Sequence, residues 1–400
     1  ISVRGVDFSL TPRVEELRER VRAFMDEHVY PVEMEALRAL DEEVRPGRDV
    51  AYPEILRELR ARAKAEGLWN LFMPDERYGP GLTNWEYGVL CEEMGRSPAV
   101  APMVFNCAAP DTGNMEILAE HGTDEQRERW LEPLLEGEIR SCFSMTEPEV
   151  SGSDPTSIQA RAELVGDEWV INGQKVWTSL AHWAQWCFVV ARTEKGSKRH
   201  QGLSYLLVPL DQPGVEIRPI VQLTGDSEFN EVFFTDARTP ASMVVGKPGD
   251  GWRVAMGTLA YERGVSTLGQ QIVYRRELEG VVELAKRTGT IDDPQIRERL
   301  INSWVGLRTM RSYALKTMDV EQPGQDNVSK LLWANWHREL GEIAMDVVGM
   351  AGLTLTDGDF DEWQRLYLFS RADTIYGGSN EIQRNIIAER VLGLPREPRG

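Results

Sequence analysis

The sequence predicts an α+β protein, helical at both ends and β in the middle, on three observations. Apolar residues recur at three and four over residues 1–140, the period drops to two over 141–250, and the helical spacing returns over 251–400. These three ranges are the expected domains.

In the first range Val14, Leu17, Val21, Phe24 and Met25 share one helical face, with Glu and Arg on the other. The pattern recurs in PEILRELRARAKAEGL and NWEYGVLCEEMG, separated by the turn-rich MPDERYGPGLTN. Gly122-Thr123-Asp124 reads as a helix stop followed by an N-cap. In the second range, Asn172-Gly173 in GDEWVINGQKVWTS predicts a type I′ hairpin turn, since both residues tolerate positive φ. WCFVVART, LSYLLVPL, VEIRPIVQL and EVFFTDART follow as strands of a small antiparallel domain. Three long helical patterns fill the third range, and a last segment runs from Trp363 through IYGGSN to the end.

With 400 residues and 42% apolar content, the chain can bury several packed units. Its formal net charge of -19 opposes nucleic acid and anionic membranes as partners. Cys91, Cys107, Cys142 and Cys187 are far apart, which argues against a disulfide framework or a structural zinc site. His28, His121, His182, His200 and His337 show no metal-ligand spacing and read as surface or packing residues. No signal-type or membrane-length apolar run occurs, so a soluble, cytoplasmic protein without a metal is expected.

Three stretches could carry chemistry. The loop from Phe143 to Asp154, FSMTEPEVSGSD, offers hydroxyls and backbone N–H groups at a domain junction, or is an ordinary connector. Val176-Trp-Thr-Ser179 sets an aromatic beside two hydroxyls, suited to a heteroaromatic ring or to a core tryptophan. Gly257, Ala260 and Gly264 leave one helix face nearly bare, for a neighbouring helix or for a ligand chain, with Glu262 one position from that stripe.

Taken together, MTEPEVSGSD, INGQKVWTS, LLVPLD, EVFFTDARTP, the YERG helix and IYGGSNEIQRNIIAERVLG resemble, in order, the acyl-CoA dehydrogenase family over essentially the whole chain. APDTGNMEIL, WLEPLLEG and SCFSMTEPEV look like the subgroup fused in animals to a kinase-like domain. The resemblance implies an N-terminal helical domain, a central antiparallel β-barrel-like domain and a C-terminal four-helix bundle. It also implies bound FAD, a homotetramer or homodimer, and an electron-transfer flavoprotein as acceptor. The implied reaction oxidises an acyl-CoA to its trans-2-enoyl-CoA: a carboxylate takes the α-proton and the β-hydrogen leaves as hydride to flavin N5.

By the same resemblance, Phe143, Met145 and Thr146 meet the flavin, and Ser153 lies near its phosphates and the substrate's pantetheine arm. Trp177 and Ser179 flank the ring system, while Ser379 and Glu381 contact the adenosine or phosphate part. Tyr261, Arg263, Tyr376 and Gly377 are implied substrate contacts. The family places its base either directly after the tyrosine of the terminal loop, where this chain has Gly377, or in the helix after the β-domain, where it has Glu262. Isovaleryl- and long-chain-type members use the second position. Glu262 is therefore the expected base, and Gly377 offers its N–H to the thioester oxygen.

Two family features are missing. The Arg-x-x-Phe-Gly motif that reaches a neighbouring subunit's FAD is not legible in LAKRTGTIDDPQIRERL, and Asp346 replaces a glutamine often near the pyrophosphate. Alternative functions are an acyl-CoA oxidase or flavin hydroxylase of the same fold, and a nucleic-acid-binding relative. The retained Glu262 and the acidic charge weigh against the latter two.

Overall fold

The computed structural model describes residues 9–43, 52–261, 266–319, 322–356 and 358–396. Before the sheet the helices are α1 (Pro12–Phe24), α2 (Glu33–Glu43), α3 (Glu54–Ala65), α4 (Asn84–Met94), α5 (Ala101–Val104), α6 (Asp111–His121), α7 (Asp124–Gln126) and α8 (Glu132–Glu136). The strands are β1 (Ser141–Ser144), β2 (Arg161–Val165), β3 (Glu168–Ser179), β4 (Trp186–Arg192), β5 (Leu203–Pro209), β6 (Val215–Ile220) and β7 (Phe229–Pro240). After them come α9 (Gly251–Tyr261), α10 (Ser266–Thr288), α11 (Pro294–Asp319), α12 (Gln325–Val348), α13 (Glu362–Asp373) and α14 (Asn380–Ile386). The cap expected at Thr123 is present: its hydroxyl accepts from the Gln126 N–H, while the Gln126 side chain accepts from the Thr123 N–H.

The chain divides into two compact units, one of Ile1–Arg22, Thr83–Pro98 and Arg263–Gly400, the other of Ala23–Leu82 and Ala99–Glu262. In the first, α10, α11, α12 and α13 form a four-helix bundle around Leu278, Val281, Leu307, Leu340, Ile343 and Leu366. Burial of these stripes supplies most of the helices' stability, because isolated helices are marginal in water. Helix α4 lies against α10. A Cβ on Gly95 would fall 2.4 Å from the Gly269 carbonyl oxygen, so only glycine permits that approach. Arg311 on α11 closes the corner through Glu92, at 2.7 Å.

In the second unit seven strands form one sheet, in the order β1-β4-β2-β3-β7-β6, with β5 paired to β4. It curls enough for the Thr239 hydroxyl near the end of β7 to donate to the Leu207 carbonyl on β5, at 2.6 Å. Trp169, Ile171, Cys187, Val189, Leu206, Val208, Val232 and Phe234 form its core. The antiparallel expectation holds for β2–β3, β3–β7, β4–β5 and β6–β7; β1 and, at Arg161–Arg192, β2 run parallel to β4, pairings made possible by the connections between them.

One expectation is corrected. Asn172-Gly173 is not a hairpin turn but lies inside β3, and the chain turns at Gly166-Asp167 between β2 and β3. The freedom of Gly173 (φ 150°) serves a register break instead: the pairing with β7 shifts between Ile171 and Gly173, where a Cβ would stand 2.6 Å from the Ala160 Cβ. The bare face of α9 is partly explained as packing, since Gly257 admits Ile117 of α6. Among the described residues no helix is long and apolar enough to cross a membrane, and no cluster of His, Cys, Asp or Glu could hold a metal ion.

Candidate active site

In the sheet unit the FSMTEP stretch forms β1 and the loop after it. Phe143 stacks on Tyr205, centroids 5.7 Å apart, and the Ser144 hydroxyl is 2.8 Å from that of Thr178 on β3. The loop stays beside β3 through the Val176 N–H, which donates to the Thr146 carbonyl at 2.9 Å. From below, Lys175 Nζ donates to the Met145 carbonyl (3.0 Å) and to Glu147 Oε1 (2.8 Å). Glu147 in turn accepts from the N–H groups of Gln159 (2.7 Å) and Ala160 (2.9 Å). Met145, Thr146, Val176 and Trp177 are thereby fixed together, while Ser153 sits farther along in an exposed part of the loop.

A second register break on β3, between Lys175 and Thr178, sets Trp177 at φ 61° and leaves it 54% exposed, edge-on to Phe229 at 6.1 Å. A bulky residue with positive φ is rare and costs about 1–2 kcal/mol. Ser179 pairs with Phe229 two positions on. Glu262 and Arg263 lie outside the described residues, and Tyr261 is the last residue of α9.

In the bundle unit, α13 ends at Asp373 and IYGGSN forms the turn into α14. Tyr376 donates its N–H to the Ala372 carbonyl at 3.0 Å, and Gly377 and Gly378 follow at φ 62° and 87°. Both conformations favour glycine. The Gln383 side chain donates to the carbonyls of Gly377 (2.9 Å) and Gly378 (3.2 Å), and Asn327 donates to Gln383. Ser379 caps α14 by accepting from the Ile382 N–H at 3.4 Å. Glu381 turns back to the same helix start: its own N–H and the Ser379 hydroxyl hold its carboxyl below the usual carboxylate range.

Beneath this loop is a polar group that sequence reasoning missed. Asp373 is buried; its carboxylate accepts from His337 Nδ1 (2.5 Å) and from the Tyr376 hydroxyl (2.7 Å). His337 Nε2 faces Glu277 at 3.0 Å. Lys330 Nζ donates to the Asp373 carbonyl at 2.5 Å and lies over the rings of Trp333 (3.9 Å) and Tyr376 (4.3 Å). His337 is thus neither a surface residue nor mere packing. Its only sequence signal was polarity on the apolar face of α12. The missed Lys175 had a similar one, at a position of β3 that faces the core.

Family models described as the N-terminal, middle and C-terminal domains of acyl-CoA dehydrogenase match residues 11–138, 142–237 and 249–392. The chain belongs to the acyl-CoA dehydrogenase family. Members are FAD-dependent oxidoreductases. The chain is 63% identical over 397 residues to acyl-CoA dehydrogenase IpdE1 of Mycolicibacterium smegmatis, covering 97% of this chain and 99% of that one. Acyl-CoA dehydrogenase family member 10 of Mus musculus is 44% identical over 261 residues, 62% of this chain and 24% of its own. A solved structure described as the Tcur3481-Tcur3483 steroid ACAD has a TM-score of 0.80 at 27% identity, covering 98% and 100% of the two chains. The ChsE4-ChsE5 complex from Mycobacterium tuberculosis gives 0.78 at 25%, with the same coverage.

Trp177 tests whether the sheet unit suits a flavin ring. A strained backbone holding a large indole out of the strand's alternation is unfavourable in a protein that leaves it bare, and favourable against an aromatic ring system. The adjacent Thr146 and Ser179 hydroxyls suit the polar edge of such a ring, so these residues fit the cofactor of the family. Two differences lie in the bundle. The end of α10, Ala285-Lys-Arg-Thr288 before Gly289 at φ 78°, carries no Arg-x-x-Phe-Gly. Asp346 pairs with Arg299 at 2.5 Å.

Proposed function

We propose that this chain dehydrogenates an acyl-CoA thioester between its α and β carbons, giving the trans-2-enoyl-CoA, with Glu262 as the base. One observation carries the assignment of the base. The terminal loop, the family's other base position, offers no carboxylate free to take a proton. Gly377 stands there, Asp373 is engaged by His337 and Tyr376, and Glu381 is held at the start of α14 by its own N–H and the Ser379 hydroxyl with a depressed pKa. A base must reach its proton and bind it well enough to take it. That leaves Glu262, which stands at the family's second base position.

FAD, when bound, would supply the hydride acceptor, with an electron-transfer flavoprotein as the proposed oxidant. The protein's own residues do the rest. Trp177 would pack on the ring system, with Phe143, Met145, Thr146 and Ser179 around it; Ser153 would meet the phosphates and the pantetheine arm, and Ser379 and Glu381 would hold the adenosine part. Tyr261, Arg263 and Tyr376 are the proposed acyl-CoA contacts, and the Gly377 N–H would donate to the thioester oxygen as negative charge develops there. The favoured acyl group is steroid-derived, on the strength of the relative described as a steroid ACAD; straight-chain fatty acyl-CoA is the comparison substrate.

A second reading concerns assembly. The Arg-x-x-Phe-Gly motif that reaches a neighbouring copy's FAD is not present at the end of α10. The name of the ChsE4-ChsE5 relative joins two chains, which favours an unlike partner subunit over the homotetramer.

Anaerobic addition of acyl-CoA should bleach the yellow protein, and Glu262→Gln should bind the ligand without bleaching. Full reduction by that variant would remove Glu262 as the base. Peroxide formed in air at the rate of turnover would make the protein an oxidase.

A further inference from the structure

We propose that Asp373 is a positioning residue of the reaction, which through the Tyr376 hydroxyl fixes the Gly377–Gly378 turn for the thioester. The inference rests on the acyl-CoA dehydrogenase reading and on Gly377 as the thioester's donor.

Four charged groups from three helices meet in the bundle: Glu277 of α10, Lys330 and His337 of α12, and Asp373 at the end of α13. Burying charge is costly, and apolar side chains of similar size would serve a fold at least as well. Such a network asks for a use. Among the described residues it reaches the terminal loop through Asp373 Oδ1, which accepts from Tyr376 OH, and Tyr376 is half-exposed directly before the two glycines. Glycines at positive φ give the turn its shape but no rigidity. The rigidity comes from both sides, from Gln383 on the two carbonyls and from Asp373 and Lys330 on the tyrosine. A displacement of about 1 Å in a donor can cost roughly a hundredfold in rate, so a fixed turn is of direct value to catalysis.

Both ring nitrogens of His337 face carboxylate oxygens, so the ring is doubly protonated. Burial lowers its pKa, but the bonds to Asp373 and Glu277 outweigh that and lift it to about 9. The groups facing it are Glu277 and the stacked Tyr274 of α10, and Asp373 of α13. Since this pKa is raised, the charged form holds Asp373 below about pH 9 and is lost as pH rises through that value.

Tyr376→Phe removes that link to the loop and leaves the buried charges intact, so it should fold normally. Tyr376→Phe and Asp373→Asn should each lower kcat/KM by about tenfold or more with flavin content unchanged, and the double variant should be no worse than the poorer single one. Wild type should lose kcat/KM above about pH 9, and His337→Gln should lack that limb. Tyr376→Phe within twofold of wild type, or the same alkaline limb in His337→Gln, overturns the proposal. Bleaching by Glu262→Gln would overturn the base assignment alone, so the two failures are distinguishable.

Discussion

Lys175 Nζ lies 2.8 Å from Glu147 Oε1, and both side chains are almost completely buried beneath the loop that carries Met145 and Thr146. The ammonium also holds the Met145 carbonyl, and the carboxylate also holds two backbone N–H groups. Removing one partner strands the other charge in the core, which costs about 3–5 kcal/mol. Lys175→Met should therefore lower the urea midpoint and purify with little flavin. Retention of both would show that the pair does not anchor the loop.

Trp177 gives a cleaner test of the flavin platform. At φ 61° a glycine relieves strain, so Trp177→Gly should keep or raise the melting temperature of the flavin-free protein. It should also weaken FAD binding by about two- to tenfold, on the usual worth of an aromatic contact of about 0.5–1.5 kcal/mol. Flavin fluorescence on titration measures this. A destabilised protein with unchanged FAD affinity would instead make Trp177 a packing partner of Phe229.

Much of the molecule was legible because its signals are local. The helical and strand periods, the cap at Thr123 and the glycine-rich terminal loop each lie within a few residues, and the order of motifs pointed to the family. What stayed hidden joins distant positions. His337 meets Glu277 across 60 residues and Asp373 across 36, and no spacing rule links three such side chains from three helices. Asn172-Gly173 misled for a related reason. The pair's tolerance of unusual φ was read correctly, but the need for it came from Ala160, pressed against β3 by tertiary packing.

That packing makes Gly173 testable. A methyl group there would sit 2.6 Å from the Ala160 Cβ and 2.8 Å from its Cα, with no flexible side chain to yield. Gly173→Ala should cost about 1–3 kcal/mol by overpacking. Ala160→Gly in the same protein should recover part of that loss. Urea unfolding of the two single variants and the double variant measures the coupling, and strictly additive effects would discard the contact as the reason for glycine.

Glu116 on α6 gives the sheet unit a pH dependence of its own. Burial, with the nearby Glu120 adding to it, raises its pKa from 4.5 to about 8, so at neutral pH it is protonated in the folded chain and ionised in the unfolded one. The folded state then holds a proton that the unfolded state releases. The contribution is fully present below about pH 4.5 and is lost as pH rises through about 8, at up to about 1.4 kcal/mol per pH unit between those values. Glu116→Gln carries no such proton. Its stability relative to wild type should climb from pH 5 to pH 8 and level off above, by chemical denaturation at each pH. A constant difference over that range would mean that Glu116 is ionised in the folded protein.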